Sequence, residues 1–447
     1  MQLFLSHALQ ANKKTFDELD VESEYNESQT ALESEPVQKL ALTSMSVENG
    51  YSNGYAWMRI NSDEYSSLVG IVNKDGEVIA AFPTKDQRNY NGHSEFENGY
   101  AIIYYDTEVE VLDTNGDIVS TQQLGEDNRL VAYGAGYIVI ENHIHDFDYS
   151  SYEYIIYNPA GEEITKFVSE DGESKKVIYM GGGVFCFDDI SLLDRSANDI
   201  YFTKTNKWIQ KEIGYAYNDV PVVFGKSDKR VIDCYKNDTE WILTILDKDG
   251  NVMEYSLSLK PQYTGTIIAN SQVSDNYCLI VDDDSLSVLD LNSGQQSKMD
   301  DTYFDKVSKK GTWLSEFNIY IDNDMFSIPL WGDDGEFYIG LFDMNFNLVC
   351  DPIRVDTYRN YSFADGRVAV KQEDAGITEV YSTEGEKLYT VNEVGGYGFC
   401  TSKTQGYSDN IFLDVTSNLE NIQVYDLDGN IPYTTLDTSN TKILSYK

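Results

Sequence analysis

From Val37 onward the apolar positions come in short runs separated by turn residues at intervals of roughly ten, a spacing that predicts strands joined by tight turns. The stretch YSNGYAWMRINSDEYSSLVGIVNKDGEVIAAF, Tyr51 to Phe82, sets the unit. An aromatic three residues before Gly54 leads into a predicted strand over Tyr55 to Ile60. A second strand follows over Leu68 to Asn73, and the Lys74-Asp75-Gly76 turn opens a third over Glu77 to Phe82. Weaker copies recur towards the C-terminus.

Two anchors make the repetition countable. The first is the aromatic three residues before a Gly: Tyr51 and Gly54, Phe96 and Gly99, Tyr133 and Gly136, Tyr179 and Gly182, Phe363 and Gly366. Successive gaps are 45, 37, 46 and 184 residues, and the last is four times 46, so the weaker copies between stay in register. The second anchor is a turn of the form Asp/Asn/Ser-x-x-Gly, as in VNKDGEV, VLDTNGDI, YNPAGEE, LDKDGNV, YSTEGEK and YDLDGNI, and, one residue longer, LDLNSGQ. From Gly76 to Gly429 it covers 353 residues in eight steps, about 44 per step, the size of a four-stranded propeller blade.

The turns suit hairpins, because Gly accepts positive φ and short polar side chains cap the local backbone. Asp247-Lys248-Asp249-Gly250 and Asp426-Leu427-Asp428-Gly429 have an acidic look but lack the full calcium-loop run with its distal Glu. The expectation is therefore an all-β chain folded as a β-propeller of about eight blades, within a range of seven to nine, with ~44-residue repeats. Closing such a ring hides the sheet edges. Residues 40–47 are expected to pair with segments near 411–414 or 441–446, joining the ends.

The segments GYAWMRI, SSLVGIVNKDGEVIAAF and FENGYAIIY resemble the bacterial WG repeat, best over residues 51–119 and in part over 133–165 and 363–389. Leu68-Val69-Gly70 stands where the motif carries Trp-Gly. The resemblance implies a propeller-like repeat fold, common on exported or surface proteins, and no single activity.

Before the repeats, Gln2 to Asp20 have the pattern of a short helix, and Val21 to Pro36 are acidic and aperiodic, as in a solvated linker. The division expected is an N-terminal helix and linker over 1–36 and one propeller domain over 37–447. Lys and Arg number 33 against 75 Asp and Glu, a formal charge of −42. Such a surface repels nucleic-acid phosphates and anionic lipids. Neither a signal-like N-terminus nor a run of about 18 apolar residues is found, so membrane insertion is not expected. The five cysteines, 48, 44, 72 and 50 residues apart, sit in apolar runs and read as small buried hydrophobes.

Candidate chemistry is sparse. Of four histidines, His143 and His145 alternate on one strand face near Asp146 and Asp148, a set too small to count as a metal site. Nucleophile-elbow, zinc-protease, P-loop and dinucleotide motifs do not occur, and Gly181-Gly182-Gly183 reads as tight packing at a repeat anchor. Neither a metal nor a cofactor is expected. What remains is aromatic: Tyr149, Tyr152, Tyr154, Trp313, Trp331, Tyr358 and Tyr361 are the candidate binding residues, flat rings near carboxylates that can stack on a sugar or anchor a peptide. The leading expectation is a monomeric, non-catalytic propeller that binds a protein or polysaccharide outside a bacterial cell. The alternative is a carbohydrate-active hydrolase or lyase using paired carboxylates at the channel mouth.

Overall fold

The first anchor is a hairpin turn between the first and second strands of a sheet. At Asn53-Gly54, Asn98-Gly99, Ala135-Gly136 and Asp365-Gly366 both residues have positive φ, from 49° at Asp365 to 88° at Gly54. That is the two-residue turn whose twist matches the flanking strands. The aromatic ahead of it packs inward: Tyr51, Phe96 and Phe363 are buried, and the Tyr51 hydroxyl donates to the Asn73 carbonyl at 2.8 Å.

The second anchor joins the third and fourth strands. Its leading Asp or Asn accepts two backbone N–H groups. Asp113 Oδ1 takes those of Asn115 at 2.8 Å and Asp117 at 2.9 Å, and Asp247 Oδ1 those of Asp249 at 3.0 Å and Asn251 at 2.8 Å. Backbone donation from Ser293 and Asn292 holds the Asp290 carboxyl below its ordinary value. These carboxylates cap turns.

The computed structural model describes residues 40–444 except 66, 85–88, 146–149, 170–173, 189–196, 213–226, 259–266, 268–270, 283–284, 301–318, 358–360, 373–374, 393–411, 416–421, 426–428 and 432–434. The helix and linker expected over 1–36 lie outside them. Among the described residues helical backbone occurs only at Ile267, and every named element is a strand. Among the described residues nine antiparallel sheets follow one another in chain order, and six of them have four strands. Sheet 1 runs from Leu42–Ser52 to Val78–Pro83, sheet 2 from Tyr90–His93 to Ile118–Gln123, sheet 3 from Asn128–Gly134 to Glu163–Val168, and sheet 4 from Lys176–Gly181 to Lys207–Glu212. Sheet 5 runs from Lys229–Lys236 to Val252–Leu257, sheet 6 from Gln272–Val273 to Gln296–Lys298, sheet 7 from Tyr320–Asp322 to Ile353–Val355, sheet 8 from Tyr361–Ala364 to Lys387–Asn392, and sheet 9 from Phe412–Val415 to Ile422–Tyr425. Sheet 1 adds a fifth, parallel strand to its four antiparallel ones, while sheets 5 and 9 are described with three and two. The protein is a β-propeller, within the seven-to-nine range that the repeat length predicts.

First strands of neighbouring sheets lie side by side. Asn128–Gly134 runs beside Lys176–Gly181, and Tyr320–Asp322 lies between Gln272–Val273 and Tyr361–Ala364. Apolar side chains alternate to the two faces of each strand and fill the space between sheets. Tyr55, Trp57 and Phe82 of sheet 1 meet Phe96, Ala101, Ile103 and Tyr105 of sheet 2. Cys186, Cys234 and Cys278 are buried in the core shared by sheets 4, 5 and 6, as their apolar runs predict, while Cys350 is only part-buried. Cys400 lies outside the described residues.

The ends meet differently from the expected pairing. Leu42–Ser52 lies beside Phe412–Val415, but Lys442–Ile443 pairs in parallel with Val78–Pro83, the fourth strand of sheet 1. The fourth strand has an open hydrogen-bonding edge, whereas the first looks onto the first strands of its neighbours, so a late segment finds its backbone partners on the outside.

Candidate functional site

The hairpin turns between first and second strands are stitched to one another. Ser52 Oγ and Asn53 Nδ2 both donate to the Phe96 carbonyl at 2.7 Å. Ser274 Oγ donates to Asp324 Oδ1 at 3.1 Å, and the Gly366 N–H to Asp322 Oδ2 at 2.8 Å. One stitch spans a whole sheet. The buried carboxylate of Glu97, in sheet 2, accepts the Tyr179 hydroxyl at 2.5 Å and the Gly182 N–H at 2.8 Å, both from sheet 4. The Gly183 N–H in turn donates to the Tyr179 oxygen at 3.1 Å. Of the three glycines, Gly182 thus holds an anion, and it is the chain's own.

Tyr179 reaches Glu97 by crossing Gly134 of sheet 3, where a Cβ would lie 2.1 Å from its ring. Gly134→Ala is expected to push the ring aside and destabilise the fold by about 1 to 3 kcal/mol, the usual cost of overpacking. Tyr179→Phe keeps the ring and removes one donor from a buried carboxylate, a loss of about 1 to 3 kcal/mol. Urea unfolding checks both, and a Gly134→Ala midpoint equal to that of the parent would refute the crossing.

Between sheets 1 and 2 the structure gathers a polar cluster. Arg59 Nε donates to Glu48 Oε1 at 2.5 Å, and both side chains keep solvent exposure, at 45% and 29%. Close by, the Tyr90 hydroxyl and His93 Nδ1 share a hydrogen bond. The strand Tyr90–His93 carries a bulge between Tyr90 and Gly92, which brings residues three apart to one side. His93 stacks on Trp57 with ring centroids 4.4 Å apart. Burial, then the Arg59 charge, lower the His93 pKa from its ordinary 6.5 to about 4. Burial, then Glu48, push the Tyr90 hydroxyl above its ordinary range. The cluster thus sets the Arg59–Glu48 ion pair beside a Tyr-His pair that is neutral at pH 7 and hydrogen-bonded. Arg59 keeps the exposure to meet a polar group, while the His93 ring is taken up by Trp57 and Tyr90.

The four aromatic candidates among the described residues are not brought together: Tyr152 and Tyr154 lie on one strand of sheet 3, Trp331 and Tyr361 on strands of sheets 7 and 8. Tyr149, Trp313 and Tyr358 lie outside the described residues. Tyr154 is fully buried and its hydroxyl accepts the Lys175 N–H at 2.5 Å; burial raises its pKa to about 12. Tyr361 is 5% exposed, and its hydroxyl donates to the Ser327 carbonyl at 3.4 Å. Both rings fill space between strands and sheets. Tyr152 and Trp331 keep partial exposure: Tyr152 stacks on His143 across the strand pair at 4.8 Å and 5°, and Trp331 lies 3.9 Å from Phe337. Among the described residues no group of three or more His, Cys, Asp or Glu is placed to hold a metal, and the His145 side chain, Asp146 and Asp148 lie outside them. Sequence reasoning missed the Arg59, Tyr90 and His93 cluster. The one signal available was a histidine near the start of a repeat.

No family model matches the sequence, and no curated protein matches it. Among solved structures the chain is similar to a eukaryotic initiation factor at 11% identity and a TM-score of 0.41, over 89% of this chain and 96% of that one. It is also similar to apo AztD from Citrobacter koseri, at 12% identity and a TM-score of 0.36 over 80% and 97% of the two chains. A third similarity is to BamB from Moraxella catarrhalis, at 11% identity and a TM-score of 0.30 over 76% and 98%. The class of this protein, a β-propeller, rests on its own sheets.

Proposed function

We propose that this protein is a non-catalytic binding or scaffolding propeller that recognises a protein or polysaccharide at a bacterial cell surface. The observation that carries the reading is where its reactive side chains are spent. Glu97 is held in a stitch between sheets, His93 lies against Trp57 and Tyr90, and the leading Asp residues cap turns. Among the described residues the carboxylates with displaced pKa, Asp106, Asp290, Asp334, Asp343, Glu379 and Glu384, are displaced downward. A glycoside-cleaving general acid needs the opposite displacement. That counts against the hydrolase or lyase reading.

The candidate contact residues are separate accessible side chains on sheets 1, 3 and 7. Arg59, Tyr152 and Trp331 are the kinds of side chain that anchor interfaces, a guanidinium and two partly exposed rings. Cell-surface display draws on the resemblance to WG repeats and on the −42 charge, which favours solubility as a monomer. Glycan-array binding and pull-down from a surface fraction test the proposal. Tyr152→Ala and Trp331→Ala are each expected to weaken capture about tenfold with the circular dichroism spectrum unchanged. Turnover of a glycan or peptide by the purified protein would overturn the non-catalytic reading.

A further inference from the structure

We propose that the outer edge of sheet 1, with the Asp113–Asp117 turn of sheet 2, is a docking groove for a strand of basic-aliphatic-aliphatic sequence. Lys442-Ile443-Leu444 of the same chain fills it. The backbone part is parallel pairing with Val78–Pro83. The Asp437 N–H donates to the Gly76 carbonyl at 2.8 Å, the Val78 N–H to that of Asp437 at 2.8 Å, and the Leu444 N–H to that of Ala81 at 3.0 Å. The apolar part is divided by strand alternation. Ile443 joins Met45, Met58 and Ala81 on one side of sheet 1, while Leu444 joins Trp57, Phe82 and Tyr105 on the other. Small residues make the room: Ala80 and Ala81 line the receiving strand, and a Cβ on Gly116 would come 2.6 Å from that of Ala80.

The charged part shows in a comparison of this chain's own turns. In four of them the first and fifth positions hold one amide and one carboxylate, joined to each other: Asn73 to Glu77 at 2.7 Å, Asn158 to Glu162 at 2.9 Å, Asn251 to Asp247 at 2.8 Å and Asn347 to Asp343 at 3.0 Å. The turn beside the groove holds two carboxylates instead, Asp113 and Asp117, which cannot make that bond. Lys442 Nζ meets the second of them, donating to Asp117 Oδ1 at 2.5 Å and to the Asn115 carbonyl at 3.1 Å, while Asp113 accepts from Asn115 within the turn. At this turn the departure from amide-carboxylate pairing thus coincides with the lysine of the docked strand, whereas at Ser382 and Glu386 a hydroxyl takes the first position and, among the described residues, no lysine is bound in this way. Asp117 is 60% exposed and Lys442 33%, so the pair adds little affinity and chiefly sets which strand docks, and in which register.

Amide hydrogen exchange on the full chain tests this. Asp117→Lys and Lys442→Asp each bring like charges together, and each is expected to speed exchange at Val78, Asp437 and Leu444 roughly three- to tenfold. The double variant should return those amides to the parent rate. A synthetic peptide of residues 436–447, in excess, should slow Val78 exchange again in the Lys442→Asp chain and leave the Asp117→Lys chain unprotected. Single variants that exchange at the parent rate would overturn the proposal. So would a double variant that stays fast, a peptide that protects neither or both chains, or acceleration reaching equally to Leu279 and Val281 of sheet 6.

Discussion

Replacing Trp57 with alanine is expected to lower the unfolding free energy by about 3 to 5 kcal/mol, the range for removing a large buried aromatic. The indole is 1% exposed and sits on the second strand of sheet 1. It packs on Phe82, Phe96 and His93 at centroid distances of 6.2, 5.9 and 4.4 Å. Hydrogen-bonded strands on both sides hold the walls apart, so the cavity cannot close. The opening is shared with Leu444 of the docked C-terminal strand, which loses part of its pocket too. Urea unfolding followed by circular dichroism measures the loss. A change below about 1 kcal/mol would mean that the two sheets do not depend on this ring.

The second large effect is a loss of stability in acid that traces to His93. Its pKa is about 4 in the folded chain, lowered by burial and then by Arg59, against an ordinary 6.5. Above pH 6.5 the ring is neutral folded or unfolded and contributes nothing to pH dependence. As pH falls from 6.5 to 4 the unfolded chain takes up a proton that the folded chain refuses, so stability falls over that window. The gap of about 2.5 pH units corresponds to about 3 kcal/mol, all of it lost below pH 4. Arg59, Glu48, Tyr90 and Tyr104 face the same space. All four are present in parent and variant alike, so the comparison isolates the imidazole. His93→Gln should therefore lose about 3 kcal/mol less than the parent between pH 7 and pH 4. Parallel stability curves for the two would refute the assignment. In Trp57→Ala, water reaching the ring should return the His93 pKa towards 6.5, which a chemical-shift titration would read directly.

Strands, turns and period were legible because each is a local matter. The residue pairs Asn53-Gly54 and Asn98-Gly99 carry positive φ readily, and Asp113 and Asp247 cap their own backbones two and four residues on. Repetition of these devices about every 44 residues predicts the run of similar sheets. The candidate site was not legible in the same way. Tyr152 and Tyr154 look alike on one strand, yet Tyr152 keeps exposure and Tyr154 is sealed against Phe167 and Phe187. What separates them is the neighbouring sheet, about which the strand's own pattern carries no information.

The amino-acid sequence by itself determined that this chain forms short antiparallel sheets of one size, since alternation and turn chemistry act within a few residues. Only the tertiary structure decided that Glu97 reaches across an intervening sheet to Tyr179, that a bulge sets His93 beside Tyr90 and Trp57, and that Lys442 finds Asp117 some 325 residues away. Each of these pairings depends on which sheets end up adjacent, and that depends on the apolar surface buried when all of them pack at once.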